Sequence, residues 1–114
     1  MKNWYSDLKK RYDSFDEPTQ ILHVVSDLQK AKNLFEINKT SAVNHCYRAL
    51  ILLDYILADK KWKAKRGELL RLREAIGSLI VGQTPYATIE QILSATVQLN
   101  AKAYKTIRVF KDHH

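Results

Sequence analysis

The chain has one cysteine, three glycines and two prolines among 114 residues. The lone cysteine, Cys46, excludes an intramolecular disulfide, and a reducing, cytoplasmic setting is the default expectation. Sparse Gly and Pro remove the punctuation that a turn-rich β-fold requires. There is no Asn-Gly hairpin signal and no sustained period-2 alternation. Long apolar runs are also missing: Ala49–Leu53 is broken by Asp54 and resumes over Tyr55–Ala58, too short to cross a bilayer. The first residues, Met1 to Asp7, lack the apolar core of a secretion signal. These absences predict neither a visible secretion signal nor a membrane-integral chain.

Acidic residues are scarce in the second half. Residues 1–59 carry eight Lys/Arg against eight Asp/Glu, whereas residues 60–114 carry eleven against four. The whole formal charge of +7 therefore resides after residue 59. That asymmetry points to a polyanionic partner, with a solubilising surface charge as the alternative. At 46% hydrophobic and 27% charged, the composition is that of a globular chain able to bury about two-thirds of its surface in one domain, residues 1–114.

The pattern predicts an all-α, up-down four-helix bundle that allows a short extra helix over Trp4–Tyr12. A second helix starts near Asp16 or Pro18 and runs to Phe35, with Ile21, Val24, Val25, Leu28, Ala31, Leu34 and Phe35 on one face. Asn38–Ser41 reads as a turn ending in an N-cap. The helix over Ser41–Lys60 is apolar on nearly every face from Ala49 to Ala58. It therefore needs cover all round, from a second copy, from a partner, or from the N-terminal piece. A helix over Arg66–Val81 carries Leu69, Leu72, Ile76, Leu79 and Ile80. Gly77 inside it suggests close backbone approach, and Gly82 is its stop. Thr84-Pro85 reads as cap and first residue of a last helix to Phe110, whose inner face includes Ile89, Ile92, Leu93, Thr96, Leu99, Ala103, Ile107 and Phe110.

No chemistry-bearing constellation stands out. His23, His45, His113 and His114 form no His pair at helical i, i+4 spacing, so no metal or cofactor is expected. His113-His114 reads as a tail or a tag remnant. Cys46 and His45 diverge by about 100° on a helix, which makes Cys46 a small core residue rather than a nucleophile beside its base. Arg108 and His113 match the Arg-x4-His spacing of the helical ribonucleases called HEPN domains, but valine follows the arginine and the motif is short. Asp54, in its apolar setting, is the acid expected to titrate unusually, more simply as a buried group paired with a nearby arginine or hydroxyl than as a catalytic one. The expectation is a protein without catalytic activity.

What remains is the run Lys60-Lys61-Trp62-Lys63-Ala64-Lys65-Arg66, followed by Arg71 and Arg73. Such a cluster repels itself unless salt or a polyanion screens it. Lys60, Lys61, Lys63, Lys65, Arg66, Arg71 and Arg73 are the candidate phosphate contacts for RNA or DNA. Trp62 either stacks on a base or closes the end of the bundle. A protein-binding adaptor, such as an immunity-type module using residues 49–58, is the alternative function.

Tyr47-Arg48-Ala49, then a cationic turn, then Lys65-Arg66-Gly67-Glu68-Leu69-Leu70-Arg71-Leu72-Arg73 through Gly77-Ser78-Leu79 resembles a known group. It is similar to the four-helix-bundle proteins encoded by intervening sequences of bacterial 23S rRNA genes. Their superfamily includes the accessory variability (Avd) proteins of diversity-generating retroelements. The resemblance spans residues 34–109 and departs from the family at Ile56-Leu57-Ala58-Asp59-Lys60. It implies a cytoplasmic homo-oligomer, a pentameric ring in this superfamily, with a basic surface for nucleic acid. For the Avd branch it implies a reverse transcriptase partner.

Overall fold

The computed structural model describes residues 4–82 and 87–100, with side chains from Leu8 onward. Five α-helices and a 3₁₀ segment make up these residues, with no strand among them. The helices are α1 (Trp4–Asp13), α2 (Glu17–Leu34), α3 (Lys39–Ala58), α4 (Arg66–Val81) and α5 (Ile89–Gln98). The 3₁₀ segment, Lys60–Lys65, connects α3 to α4.

Local chemistry sets the boundaries. Asp16 caps α2 by accepting from the Thr19 amide, and Pro18 sits in the first turn where its missing N–H costs nothing. Asn38 caps α3 through the Ser41 amide at 3.1 Å, so the cap lies three residues earlier than the sequence suggests. Gly82 ends α4 in the left-handed region at φ 77°, with its N–H on the Ser78 carbonyl. Among the described residues, nothing outside its own helical turns lies within 4 Å of where a Cβ on Gly77 would stand, so none of their backbones approaches it closely.

The last helix differs most from expectation. Its N-cap is Thr88, in a reciprocal capping box with Gln91. The helix closes at Gln98, where the Leu99 amide reaches the Thr96 carbonyl in a tighter turn. Thr84, Pro85, Ala103, Ile107 and Phe110 lie outside the described residues.

Helices α2 to α5 form a ring of neighbours, each packed on the next, with α5 closing back onto α2. The sense alternates. Gln20, early in α2, bonds to Asp59 and Trp62 beyond the end of α3. The Arg66 guanidinium at the start of α4 reaches the Leu57 carbonyl at the end of α3. Asn100, just past α5, meets Glu17 at the start of α2. This is the up-down four-helix bundle, with α1 as the extra helix laid against α3.

The core is one cluster drawing on all the helices, including Ile21, Val24, Leu28, Leu53, Ile56, Leu69, Ile76 and Ile92. Residues 49–58 are largely covered within this one chain. Ala49, Leu52, Leu53, Tyr55 and Ile56 are buried, Leu50, Ile51 and Leu57 are half-buried, and among the described residues the exposed large apolar side chains are Ile37, Tyr47, Leu70 and Val81. Tyr12 of α1 packs its ring 6.0 Å from that of Tyr55. The N-terminal piece, α1, thus supplies part of the cover this helix needs.

Asp54 has an arginine partner, as the sequence allows, but is not buried. It points to solvent, with its side chain 51% exposed, and pairs with Arg73 at 2.7 and 3.5 Å. The pairing raises the Arg73 pKa further. Among the described residues the buried acid is Asp27, whose Oδ1 takes His45 Nδ1 at 3.1 Å and Arg48 Nε at 3.5 Å. Among the described residues no helix is long and apolar enough to cross a membrane.

Candidate nucleic-acid interface

The connector begins where the last turn of α3 stops at Asp59. The Asp59 carboxylate caps the 3₁₀ segment by accepting from the Lys61 amide at 3.1 Å. A 3₁₀ turn has three residues per turn, so side chains three apart share a face. Lys60 and Lys63 thus share one face. Trp62 turns inward and is 2% exposed.

Trp62 is held by a polar knot at this end of the bundle. Its indole Nε1 donates to Gln20 Oε1 at 2.6 Å. The Gln20 amide Nε2 donates to the Tyr12 carbonyl at 3.0 Å and to Asp59 Oδ2 at 3.4 Å. The Tyr12 hydroxyl donates to the Gln20 carbonyl, which ties α1 to α2. Burial pushes the Tyr12 hydroxyl pKa strongly upward, so the donor stays protonated. Neither the indole edge nor its face is presented for stacking on a base. Of the two roles open to Trp62, closing the end of the bundle is the one it occupies.

Lys61 is consumed in the same way. Its ammonium donates to the carbonyls of Asp13 at 3.3 Å and Phe15 at 2.9 Å, and pairs with Asp59 at 3.0 Å. It satisfies carbonyls left open where α1 ends. Burial pushes the Asp59 carboxyl up, and hydrogen bonds from Lys61 and Gln20 outweigh it, leaving Asp59 below its ordinary value of 3.8. A carboxyl depressed by folding contributes stability above its unfolded pKa, and that contribution is lost as pH falls through the lower folded value. Replacing Asp59 by Ala should cost about 1 kcal/mol at neutral pH, as for other lost caps. Unfolding of wild type and variant, compared from about pH 6 to about pH 3, should show this gap closing. A gap that persists in acid would contradict the assignment.

The remaining cations face solvent. Among the described residues, Lys60, Lys63 and Arg71 make no ion pair, and Lys65 has a loose contact with Glu68 at 3.9 Å. Arg66 is exposed and donates one N–H to the Leu57 carbonyl. Arg73 is held by Asp54. Of the seven cations singled out in the sequence, five are therefore presented outward and two are engaged within the fold.

Lys65 and Arg71 also border a groove of about 520 Å³ between α4 and α5. Gln91 and Gln98 stand on the α5 side, and Glu68 and Leu72 on the α4 side. The end of α5 lies at the same end of the bundle as the connector, because Asn100 meets Glu17 while Lys61 meets Phe15. The basic residues Lys102, Lys105, Arg108 and Lys111 follow from that end in sequence but lie outside the described residues, as does His113.

Gln20 is a functional part that the sequence pattern does not reveal. It occupies an apolar-stripe position, four residues before Val24 and eight before Leu28. A lone amide on a buried stripe is the signal that could have exposed it. Asp27 carries the same signal.

Other chemistry finds little here. Cys46 is fully buried, and burial pushes its thiol up to about 11, which disfavours the nucleophilic thiolate. Among the described residues no three His, Cys, Asp or Glu side chains gather as metal ligands would. Comparison with protein-family models, with curated proteins and with solved structures finds no match for this chain. The likeness to the intervening-sequence and Avd proteins rests on the residues that carry it.

Proposed function

We propose that this chain is a non-catalytic, basic helical-bundle protein that binds nucleic acid through its phosphates. The observation that carries the reading is the connector itself. Lys60, Lys63, Lys65 and Arg66 project outward from a short segment that Trp62 and Lys61 pin to the bundle, and Arg71 continues the positive surface along α4. The pinned backbone holds these like charges together, and among the described residues Glu68 is the acid that meets them. Such an arrangement costs self-repulsion, and a polyphosphate chain relieves it. No base-reading aromatic is offered by the connector, so binding should depend little on sequence.

Salt dependence tests this. If Lys60, Lys63, Lys65 and Arg71 each engage a duplex phosphate, log K should fall against log salt with a slope of about −3.6. That corresponds to roughly a hundredfold weakening between 50 and 200 mM salt. Fluorescence anisotropy on a labelled duplex would measure it. Binding that ignores salt, or no binding to RNA or DNA at low salt, sinks the proposal.

A role beside a reverse transcriptase is implied by the family resemblance alone, and self-association by that resemblance together with the apolar segment 49–58, whose Leu50, Ile51 and Leu57 stay half-buried. The adaptor reading through residues 49–58 loses its main support, since the chain's own helices cover that segment.

A further inference from the structure

A second cavity, of about 470 Å³, lies between α1, α2 and α3, away from the outward face of the connector. Its volume is in the range of sites that hold one small molecule. The chemistry of its lining changes in a definite order along its length.

At the end nearest the connector stand three rings. Phe15 and His23 have centroids 5.1 Å apart, and Tyr12 lies 6.0 and 5.9 Å from them. His23 is exposed and Phe15 half-buried, so this aromatic surface is reachable from solvent. One turn further along α2 come Ser26 and the buried Asp27. Asp27 is clamped at Oδ1 by His45 and Arg48, which fixes a carboxylate at the cavity wall. One turn beyond is Lys30, while Arg48 of α3, beside Asp27, and Arg11 of α1 also line the cavity. Arg11 and Lys30 are exposed and make no ion pair among the described residues.

The order along α2 is thus a ring surface, hydroxyl and carboxylate acceptors, then a cation, with Arg48 and Arg11 adding positive charge from α3 and α1. From His23 to Lys30 is seven residues, about 10 Å at the helical rise. We propose that this cavity binds a ribonucleoside monophosphate unit. Its base lies against Phe15 and His23, its sugar hydroxyls donate to Asp27 and Ser26, and its phosphate meets Lys30, Arg48 and Arg11. Three cations against one acid favour an anion. A fixed carboxylate accepts sugar hydroxyls well, as in other nucleotide sites. The same carboxylate makes the wall a poor surface for an acyl chain, because an apolar tail would leave it unsatisfied. The unit is either a free nucleotide or one residue of an RNA strand, and the chemistry of recognition is shared.

Titration calorimetry on the whole chain tests the proposal, with AMP, GMP, CMP and UMP, their 2′-deoxy counterparts and inorganic phosphate as probes. At least one ribonucleotide should bind, its deoxy form several-fold more weakly and phosphate alone weaker still. Arg11→Ala with Lys30→Ala removes two exposed side chains, so the fold should persist, as circular dichroism would verify. That pair should weaken ribonucleotide binding at least about tenfold, since charge-assisted contacts to phosphate are strong. The variant with Lys60, Lys63, Lys65 and Arg71 changed to Ala should bind the mononucleotide as wild type does, which separates this site from the connector. A short RNA that competes assigns the site to a strand residue, and one that does not assigns it to the free nucleotide. No binding at millimolar ribonucleotide, equal binding of inorganic phosphate, equal binding of the deoxy form, or indifference to the Arg11/Lys30 pair would each overturn the proposal.

Discussion

Replacing Trp62 by Ala should cost about 3–5 kcal/mol, the range for truncating a buried large aromatic. The side chain is 2% exposed, and its loss opens a void where α1, α2 and the connector meet. It also leaves Gln20 Oε1 without its donor in a buried site, a separate penalty of about 1–3 kcal/mol that overlaps with the first. Domains of this size are stable by about 5–15 kcal/mol, so the variant should stand near the edge of folding. A fall in melting temperature of roughly 10 °C or more is expected. Trp62→Phe keeps most of the volume and loses the indole N–H, so it should cost less. Thermal unfolding by circular dichroism checks both. In a Trp4→Phe background, Trp62 emission should be blue-shifted, protected from acrylamide, and indifferent to added nucleic acid. A Trp62→Ala protein that melts with the wild type, or an emission quenched on binding RNA, would refute the anchor role.

The largest effect on binding is expected from removing the outward cations together. With Lys60, Lys63, Lys65 and Arg71 changed to Ala, affinity for duplex at 0.1 M salt should fall more than about a hundredfold, and the salt slope should flatten by about 3.6. Stability should hardly move. The four side chains are exposed, and the ion pair that the change removes, Lys65 with Glu68 at 3.9 Å, is of the surface kind worth little. Lys61→Ala is the contrast. Its ammonium already satisfies the carbonyls of Asp13 and Phe15, so its removal should lower stability by about 1 kcal/mol and leave the slope nearly unchanged. If Lys61→Ala flattens the slope as strongly as any of the four, the division of the cluster is wrong.

That division shows where sequence reading stops. Seven cations near one another in sequence are seven candidates, because a composition argument cannot see which carbonyl or carboxylate waits nearby. Lys61 finds the end of α1, forty-eight residues away from Asp13 in sequence. Arg73 finds Asp54 across the α3–α4 interface. Trp62 can be weighed between two roles but not assigned, since its partner Gln20 lies forty-two residues away. The apolar segment 49–58 suffers the same blindness in reverse. Its hydrophobicity is legible, but the cover supplied by α1 is not, because a ten-residue amphipathic helix gives no clue to where it docks.

The helices themselves are largely readable. The stripe from Ile21 to Phe35 and that from Leu69 to Ile80 describe α2 and α4 closely, because burial against neighbours repeats at the helical period. Gly82 marks the stop of α4 for a local reason, its tolerance of the left-handed region. The start of the last helix is ambiguous in sequence because Thr84-Pro85 and Thr88-x-x-Gln91 are both legitimate start signals, and the reciprocal hydrogen bonds favour the second.

By itself, then, the sequence determined an all-α bundle, its helical faces and the one-sided positive charge, because these follow from periodicity and composition along the chain. The tertiary structure decided which cations remain free, that Trp62 closes the bundle, that Asp27 rather than Asp54 is the buried acid, and that a nucleotide-sized cavity opens beside α1. Each of these depends on partners distant in sequence, brought together by the packing of apolar faces that do not themselves encode which polar groups will meet.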